Sequence, residues 1–147
     1  MQIYDDLVFN QNKDNFEIME IISNTSPSSS SNVLDVGSGT GHHVKNMNDN
    51  GYKCMGVDIS QSMVAKAKEN YPDMNYIQGD VSSMLIFQPN TFSHITCLYF
   101  AIYYMKNKKQ FFDNCMNWLE PGGFLALHLV NRNKFDTVIP AGCPFNI

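Results

Sequence analysis

The stretch from Val33 to Gly41 constrains the fold of this chain most, because it joins a buried-strand pattern to a run of alternating glycines. Three apolar residues, Val33, Leu34 and Val36, surround one acid, which is typical of a strand covered on both faces. The glycines permit a sharp turn and let a ligand approach the backbone. The predicted helix that follows directs its first N–H groups at that turn, which favours a negatively charged ligand group. The stretch therefore predicts a nucleotide-type cofactor site at the carboxyl end of a parallel strand.

The spacing of the glycines distinguishes two classes of cofactor site. A dinucleotide fingerprint, G-x-G-x-x-G, needs a glycine at position 42, where this chain has His42. The glycines are instead spaced G-x-G-x-G, and an acid stands two residues before the first of them. This pattern resembles motif I of the class I S-adenosylmethionine-dependent methyltransferases, D/E-x-G-x-G-x-G. The resemblance implies a cofactor-binding turn made of Asp35, Gly37, Ser38, Gly39, Thr40 and Gly41.

Two further acids follow predicted strands at positions that the same family uses. The run from Asp58 to Met63 resembles the family's D-x-S-x-x-M segment. Gly79, Asp80 and Val81 resemble the segment that contacts adenine, and residues 119–123 resemble an L-x-P-G-G turn before the fifth strand. The resemblance extends over residues 32–130, which is most of the chain.

The resemblance also implies roles for individual residues. Asp58 would accept hydrogen bonds from both ribose hydroxyls of S-adenosyl-L-methionine, and Ile59 and Met63 would pack against its adenine or ribose. Asp80 would accept a hydrogen bond from the adenine amino group, and the Val81 N–H would donate to a ring nitrogen. Leu98 and Tyr99 would border the sulfonium, and Tyr4 would close over the cofactor from the N-terminus.

The order of predicted elements indicates an α/β fold with a doubly wound, mostly parallel sheet, the Rossmann-like fold of class I methyltransferases. A helix over residues 14–24 precedes the sheet, with Phe16, Met19 and Ile22 at helical spacing and Ile18 and Ile21 broadening its apolar face. Predicted strands cover residues 32–36, 53–58, 74–78, 91–100 and 124–130. Predicted helices cover residues 41–50, about 60–71, and 106–119, the last with Phe111, Phe112, Cys115, Trp118 and Leu119 facing inward.

We expect one S-adenosylmethionine-binding methyltransferase domain over residues 1–147. It divides into an N-terminal helix and Ser-rich linker (1–31), a core (32–130) and a tail (131–147). The family sheet has seven strands, but Pro140, Gly142 and Pro144 make the tail a poor strand, so we expect the final two strands to be missing. The apolar fifth strand would then be an edge, which predicts a longer protein or a covering chain, either a second copy or another partner.

Composition disfavours several classes of function. The chain has 147 residues, enough for one domain with a core, and its formal net charge of −4 offers no electrostatic footprint for nucleic acid. No apolar run long enough for a membrane span and no signal-peptide pattern is evident, so we expect no membrane partner and a cytoplasmic location. The histidines and cysteines lack metal-ligand spacing, so no metal is predicted. Three of the four cysteines are expected in or near the core as reduced thiols.

The sequence alone does not identify the catalytic residues. His42, His43 and His128 are the candidate general bases, but helix starts and strands commonly hold structural histidines, and none of the three is assigned to catalysis. Residues 97–100 read Cys-Leu-Tyr-Phe, so the N/D-P-P-Y/F motif of amino-group methyltransferases is absent. This absence disfavours methylation of adenine or cytosine in DNA.

Three functions remain open. The first is methyl transfer from S-adenosylmethionine to a small-molecule acceptor. The second is a non-catalytic S-adenosylmethionine-binding subunit or fragment that a partner chain completes. The third, a nicotinamide-dependent oxidoreductase, is disfavoured by His42 and by the lack of a second nucleotide-binding half.

Overall fold

The computed structural model describes residues 11–98 and 101–129, and within them five strands form one parallel sheet. The strands are Asn32–Val36 (β1), Lys53–Asp58 (β2), Asn75–Gln78 (β3), Phe92–Cys97 (β4) and Leu119–Leu127 (β5). Their spatial order is β3-β2-β1-β4-β5, so the chain reverses direction across the sheet between β1 and β4. The predicted α/β doubly wound sheet is confirmed, and such a reversal point is where this class of sheet binds ligands.

Four α-helices and two short 3-10 helices connect the strands in the described residues. The α-helices are Gln11–Thr25 (α1), His42–Asp49 (α2), Gln61–Asn70 (α3) and Lys108–Trp118 (α4), and the 3-10 helices are Met84–Ile86 and Ala101–Tyr104. None of the helices in these residues is both long and apolar enough to cross a membrane.

Local side chains set the helix ends. The Ser60 hydroxyl accepts a hydrogen bond from the Met63 N–H (3.3 Å) and caps α3. The Asn107 side-chain oxygen accepts from the Gln110 N–H (3.0 Å) and starts α4 later than the predicted residue 106. After α2, Gly51 adopts a φ of +90°, the left-handed conformation that glycine tolerates best.

The sheet is covered on both faces, as the apolar pattern of β1 predicted. Val33 and Leu34 are both fully buried although successive strand residues point to opposite faces. Leu34 joins a cluster around Trp118 and Phe111 on the α4 side. Val33 joins a second cluster on the other face, which includes Ile18, Val44, Met47 and Ala67.

The predicted apolar face of α1 is confirmed in part. Ile18 and Ile21 are buried and Ile22 packs against the same cluster as expected, whereas Phe16 and Met19 are 65% and 55% exposed. The inward face is therefore narrower than predicted, and it includes the buried acid Glu17. The reason is a polar contact: the Glu17 carboxylate lies within hydrogen-bonding distance of two histidines, so this acid faces inward.

The fifth strand begins earlier than predicted. Leu119 already pairs with Phe92, and the ladder resumes with Phe124 opposite His94, so the predicted Pro-Gly-Gly turn is a bulge within β5. The strand ends at Leu127 rather than at the predicted residue 130. β4 is also shorter than predicted, since it covers Phe92–Cys97 instead of residues 91–100.

The inward face of α4 differs from the prediction at one residue. Phe112 is 36% exposed and was wrongly placed inside, whereas Phe111, Cys115, Trp118 and Leu119 are buried as expected. The predicted burial of three cysteines is confirmed for Cys54, Cys97 and Cys115, which carry free thiols. The predictions for Tyr4, Tyr99 and the tail 131–147 lie outside the described residues.

Candidate active site

A cavity of about 820 Å³ opens at the carboxyl ends of β1, β2 and β3. Its volume falls in the range typical of small-molecule and cofactor sites. Two predicted site residues, Gly41 and Met63, do not line it. The predicted residues that do line it are Asp35, Gly37, Ser38, Gly39, Thr40, Asp58, Ile59, Asp80, Val81 and Leu98.

The glycine turn depends on backbone conformations that side chains disfavour. Gly37, Gly39 and Gly41 have φ values of +69°, +56° and +95°, all in the region that glycine tolerates best. The N–H groups of Gly37 and Ser38 both donate to the Val57 carbonyl, at 2.9 and 3.1 Å. These bonds hold the turn against the end of β2.

Asp58 links the glycine turn to the start of α3. Its Oδ2 accepts from the Gly39 N–H at 2.9 Å, and its Oδ1 accepts from the Ser60 N–H at 2.8 Å. A carboxylate oxygen has a second acceptor position, so each oxygen can also accept a hydrogen bond from a ligand hydroxyl. The side chain is half-buried and lines the cavity, which suits that second function.

Gly41 supports the turn from behind the cavity. The Tyr76 hydroxyl donates to the Gly41 carbonyl at 3.0 Å, and the Asn70 amide donates to the Thr40 carbonyl at 3.2 Å. A Cβ at Gly41 would lie 2.5 Å from the Tyr76 hydroxyl, so this position needs glycine for space as well as for φ. Sequence analysis did not anticipate either donor, because they come from α3 and β3.

Asp35 is buried at the end of β1 and accepts a hydrogen bond from the Thr96 hydroxyl at 2.7 Å. Burial and, secondarily, the Asp35 charge raise the pKa of the Cys97 thiol to about 12. Burial and the same charge also raise the pKa of Cys54. Both thiols therefore remain protonated near neutral pH and are poor nucleophiles.

The third acid, Asp80, stands in a segment anchored from two directions. The Ser82 N–H donates to the Asp80 carboxylate at 2.9 Å, and this hydrogen bond, assisted by the Ser82 hydroxyl, lowers the pKa of Asp80. From the other side, the buried Asn114 amide donates to the Val81 carbonyl at 2.8 Å. The Trp118 indole N–H donates to the Met84 carbonyl at 2.9 Å. An ionised acceptor is thus held at the cavity rim on a fixed backbone.

Comparison with known families decides which class of site this is. The model of a methyltransferase domain matches residues 34–127, which include β1 to β5 almost completely. This chain belongs to that family. The class I methyltransferase domain expected from the glycine turn is therefore confirmed.

Two curated relatives and one solved structure show how far the likeness extends. The domain is 30% identical over 122 residues to a ubiquinone biosynthesis O-methyltransferase of Coxiella burnetii, covering 78% of this chain and 51% of the relative. It is 25% identical to dTDP-3-amino-3,4,6-trideoxy-alpha-D-glucopyranose N,N-dimethyltransferase of Streptomyces venezuelae, covering 76% and 47%. The chain thus spans about half the length of these relatives. The PH0226 protein of Pyrococcus horikoshii OT3 shares the fold, with a TM-score of 0.73 at 23% identity and coverage of 88% and 59%.

Other residues of the methyltransferase domain line the cavity without having been predicted as cofactor residues. The two adjacent histidines at the start of α2, His42 and His43, both contribute. Further polar side chains come from the turn after β3, from the segment between β4 and α4, and from the first turn of α4: Ser82, Tyr104, Lys106, Asn107 and Gln110. Sequence analysis named the two histidines as candidate bases but could not select these five residues, because no motif marks them and only the fold brings their segments together.

Met63 lies away from the cavity of the methyltransferase domain. It is half-buried in the first turn of α3, where its N–H bonds the Ser60 hydroxyl. Within residues 11–98 and 101–129, no group of three or more histidine, cysteine, aspartate or glutamate side chains is placed to hold a metal ion. The expectation that no metal is needed stays a prediction.

Ser38 and Gly56 provide a steric test of the cavity wall. The Ser38 hydroxyl is buried and makes no hydrogen bond within the described structure, so its oxygen is available to a ligand group. A Cβ at Gly56 would lie 2.5 Å from that oxygen and 2.6 Å from the Ser38 Cβ. Gly56→Ala should therefore push Ser38 out of place, lower the free energy of unfolding by about 1–3 kcal/mol and weaken binding of S-adenosylhomocysteine. Chemical denaturation and calorimetry measure the two effects.

Gly79→Ala is the matched control for this substitution. A Cβ there would meet only Val57 and Ile86 at 3.4 and 3.6 Å, an ordinary van der Waals distance. We expect little change in stability for the control. Equal stability losses in the two variants would contradict the steric argument.

Proposed function

We propose that this domain transfers a methyl group from S-adenosylmethionine to a small-molecule acceptor. The observation that carries the proposal is the arrangement of three carboxylates, Asp35, Asp58 and Asp80, at the ends of β1, β2 and β3 around one cavity that also contains the glycine turn. Family membership supports methyl transfer as the class of chemistry. The methyl donor and its contacts are part of the proposal.

The described residues fit an S-adenosylmethionine molecule in the orientation that the family implies. The glycine turn leaves space for the amino-acid part and ribose, next to the buried Ser38 hydroxyl. Asp58 keeps an acceptor position on each oxygen for the two ribose hydroxyls, and exposed Ile59 offers an apolar surface beside them. Asp80 and the Val81 N–H would contact adenine. Leu98, buried just after β4, would border the sulfonium.

Methyl transfer requires little of the protein beyond positioning the methyl donor and the acceptor. The positive sulfur activates the methyl carbon, and an acceptor atom with a lone pair attacks this carbon in line with the leaving sulfur. The protein raises the rate chiefly by holding donor and acceptor in that line and by excluding water. Buried side chains such as Val36 and Leu98 provide an apolar wall next to the polar turn.

Two observations support a small-molecule acceptor. The relatives named above include an O-methyltransferase of ubiquinone biosynthesis and an amino-sugar N,N-dimethyltransferase. The chain has a formal net charge of −4, which opposes binding to the phosphate backbone of nucleic acid.

One observation concerns the edge of the sheet. Among the described residues β5 has one neighbouring strand, β4, and its Phe124 is 44% exposed although it stacks on His94. An edge of this kind can pair with another strand. We therefore also propose that a second copy of this chain covers β5.

Ligand binding tests the choice of donor. S-adenosylmethionine and S-adenosylhomocysteine should each raise the melting temperature, since a ligand at 100 times its Kd stabilises a protein by about 2.7 kcal/mol. NAD should produce no shift, because the third glycine of its fingerprint is replaced by His42. EDTA should leave the shifts unchanged. A shift with NAD alone, or one that EDTA abolishes and Mg²⁺ restores, would contradict the proposal.

Removal of Asp58 tests the ribose contact. Asp58→Ala should weaken S-adenosylhomocysteine binding at least tenfold, since hydrogen bonds to a charged group contribute about 1.5–3 kcal/mol each. Part of that loss would come from the freed Gly39 and Ser60 N–H groups. The 2′-deoxy analogue of S-adenosylhomocysteine separates the two effects. It should bind the wild-type protein more weakly than S-adenosylhomocysteine does, whereas the two ligands should bind Asp58→Ala with equal affinity. Calorimetry provides the affinities.

The surface acid Asp49, which pairs with Lys45, supplies the control. Asp49→Ala should retain the full preference for the ribose 2′-hydroxyl. The same preference in Asp58→Ala would refute the assignment.

The proposed cover over β5 predicts an assembly. Light scattering on the 147-residue chain should give a mass above that of one chain. Phe124→Lys should lower that mass, because a charge in the new contact would be desolvated. Leu85→Lys is the control, since Leu85 is 89% exposed in the 3-10 helix before β4 and is not part of β5. A stable wild-type monomer would show that the edge needs no second copy.

A further inference from the structure

A row of polar side chains along α4 holds the segment that follows β3. Gln110, Asn114 and Trp118 are spaced four residues apart, so they lie along one face of the helix. Asn114 Nδ2 donates to the Val81 carbonyl at 2.8 Å, and Trp118 Nε1 donates to the Met84 carbonyl at 2.9 Å. Gln110 Nε2 donates to Asn114 Oδ1 at 2.7 Å. We call Gln110 and Asn114 the amide pair.

The backbone fixes the direction of both amides. A carbonyl oxygen can only accept, so the Asn114 atom that contacts Val81 is the donor Nδ2, and Oδ1 is the atom that meets Gln110. Because Oδ1 can also only accept, the Gln110 atom beside it is Nε2. A side chain at position 110 that cannot donate would therefore turn the Asn114 amide around and set its oxygen against the Val81 carbonyl.

The peptide unit between Val81 and Ser82 is held at both ends. Its carbonyl accepts from Asn114, and its N–H donates to Asp80 Oδ1 at 2.9 Å. The Asp80 side chain is exposed, so packing does little to restrict its direction. The direction of this carboxylate therefore depends on the Ser82 N–H and, through the peptide unit, on Asn114.

Burial makes the amide of Asn114 costly unless it is hydrogen-bonded. Asn114 is 0% exposed, on the same helix as the buried apolar residues Phe111, Cys115 and Trp118. A leucine of similar volume would not carry that desolvation cost. Both ends of the Asn114 amide are used, one on the backbone after β3 and the other on Gln110, which lines the cavity. The amide pair thus connects two walls of the cavity.

We propose that Asn114 is a positioning residue for the adenine base of the methyl donor and that Gln110 sets its orientation. This inference rests on the proposed function, in which Asp80 and the Val81 N–H contact adenine. Through the Val81–Ser82 peptide, Asn114 directs the Asp80 carboxylate at the 6-amino group of the base. Hypoxanthine has a 6-oxo oxygen and an N1–H instead, so it would meet the carboxylate with an acceptor and the Val81 N–H with a donor. The amide pair therefore sets the preference for adenine over hypoxanthine.

Calorimetry with S-adenosylhomocysteine and its 6-oxo analogue, S-inosylhomocysteine, tests the inference on the full chain. The wild-type protein should prefer the adenine ligand by about tenfold or more, the effect of one hydrogen bond to a charged group. Asn114→Leu should reduce this base preference about threefold or more, the coupling expected within one hydrogen-bond network. It should leave the preference for the ribose 2′-hydroxyl, which Asp58 sets, at the wild-type value.

Asn48→Leu is the matched control. Asn48 is also a helical asparagine whose amide donates to a strand carbonyl, that of Cys54 at 2.9 Å, and it lies outside the residues that line the cavity. This variant should lose stability without a change in base preference. Equal affinity of the wild-type protein for both ligands, an unchanged base preference in Asn114→Leu, or an equal reduction in Asn48→Leu overturns the proposal.

Gln110→Glu tests the direction of the amides, and it also tests the proposal if Asn114→Leu fails to fold. The carboxylate has nearly the same shape but cannot donate to Asn114 Oδ1, so this variant should also reduce the base preference. Gln110→Met is its control, because it removes the donor without turning the Asn114 amide around, and it should reduce the preference less. An unchanged preference in Gln110→Glu, or an equal reduction in Gln110→Met, overturns the proposal.

The wild-type measurement separates this inference from the function on which it rests. A wild-type protein that binds neither ligand contradicts the proposed function and this inference with it. Wild-type binding with a base preference that the variants at positions 110 and 114 leave unchanged contradicts this inference alone.

Discussion

The hydrogen bond from the Gly39 N–H to the Asp58 carboxylate joins the two segments on which the cavity depends. The glycine turn needs contacts from other segments, since glycine adopts both positive and negative φ readily and no side chain of its own restricts it. Asp58 fixes it from β2, the Val57 carbonyl accepts from the two N–H groups that begin it, and the Tyr76 hydroxyl secures its end. All three contacts come from β2 and β3, so the order β3-β2-β1 is what makes the turn rigid.

The two sides of the cavity are built in different ways. The proposed cofactor side uses short segments that directly follow β1, β2 and β3, where sequence order and spatial order agree. The other side combines the start of α2 and the segment before α4, and an acid from α1 contacts His43 behind it. A fold of this class fixes the first side closely and leaves the second to vary, which is why the same sheet serves many reactions.

Sequence patterns predicted the proposed cofactor side of the cavity well and the opposite side poorly, for physical reasons. Buried parallel strands and left-handed glycines leave local signatures, so β1, β2 and the turn at Gly37 were found within a residue or two. The face of α1 was found only in part, because its orientation also depends on Glu17 meeting histidines that lie far away in sequence. The bulge in β5 was missed because Leu119 pairs with Phe92 across the sheet, a contact that a Pro-Gly-Gly sequence does not reveal.

Glu17 on α1 is a buried acid whose carboxylate lies 3.0 Å from His43 Nε2 and 3.3 Å from His128 Nε2. A buried ion pair seldom stabilises a fold more than apolar residues of similar volume would, since desolvation offsets the attraction between the charges. The surroundings on α1 are apolar, with Ile18 and Ile21 buried beside Glu17, so an aliphatic side chain at position 17 would pack against the domain without that desolvation cost. It would also leave His43 and His128 without this acceptor. Packing alone therefore gives no reason for an acid at this position, whereas the contacts with the imidazoles of His43 and His128 do.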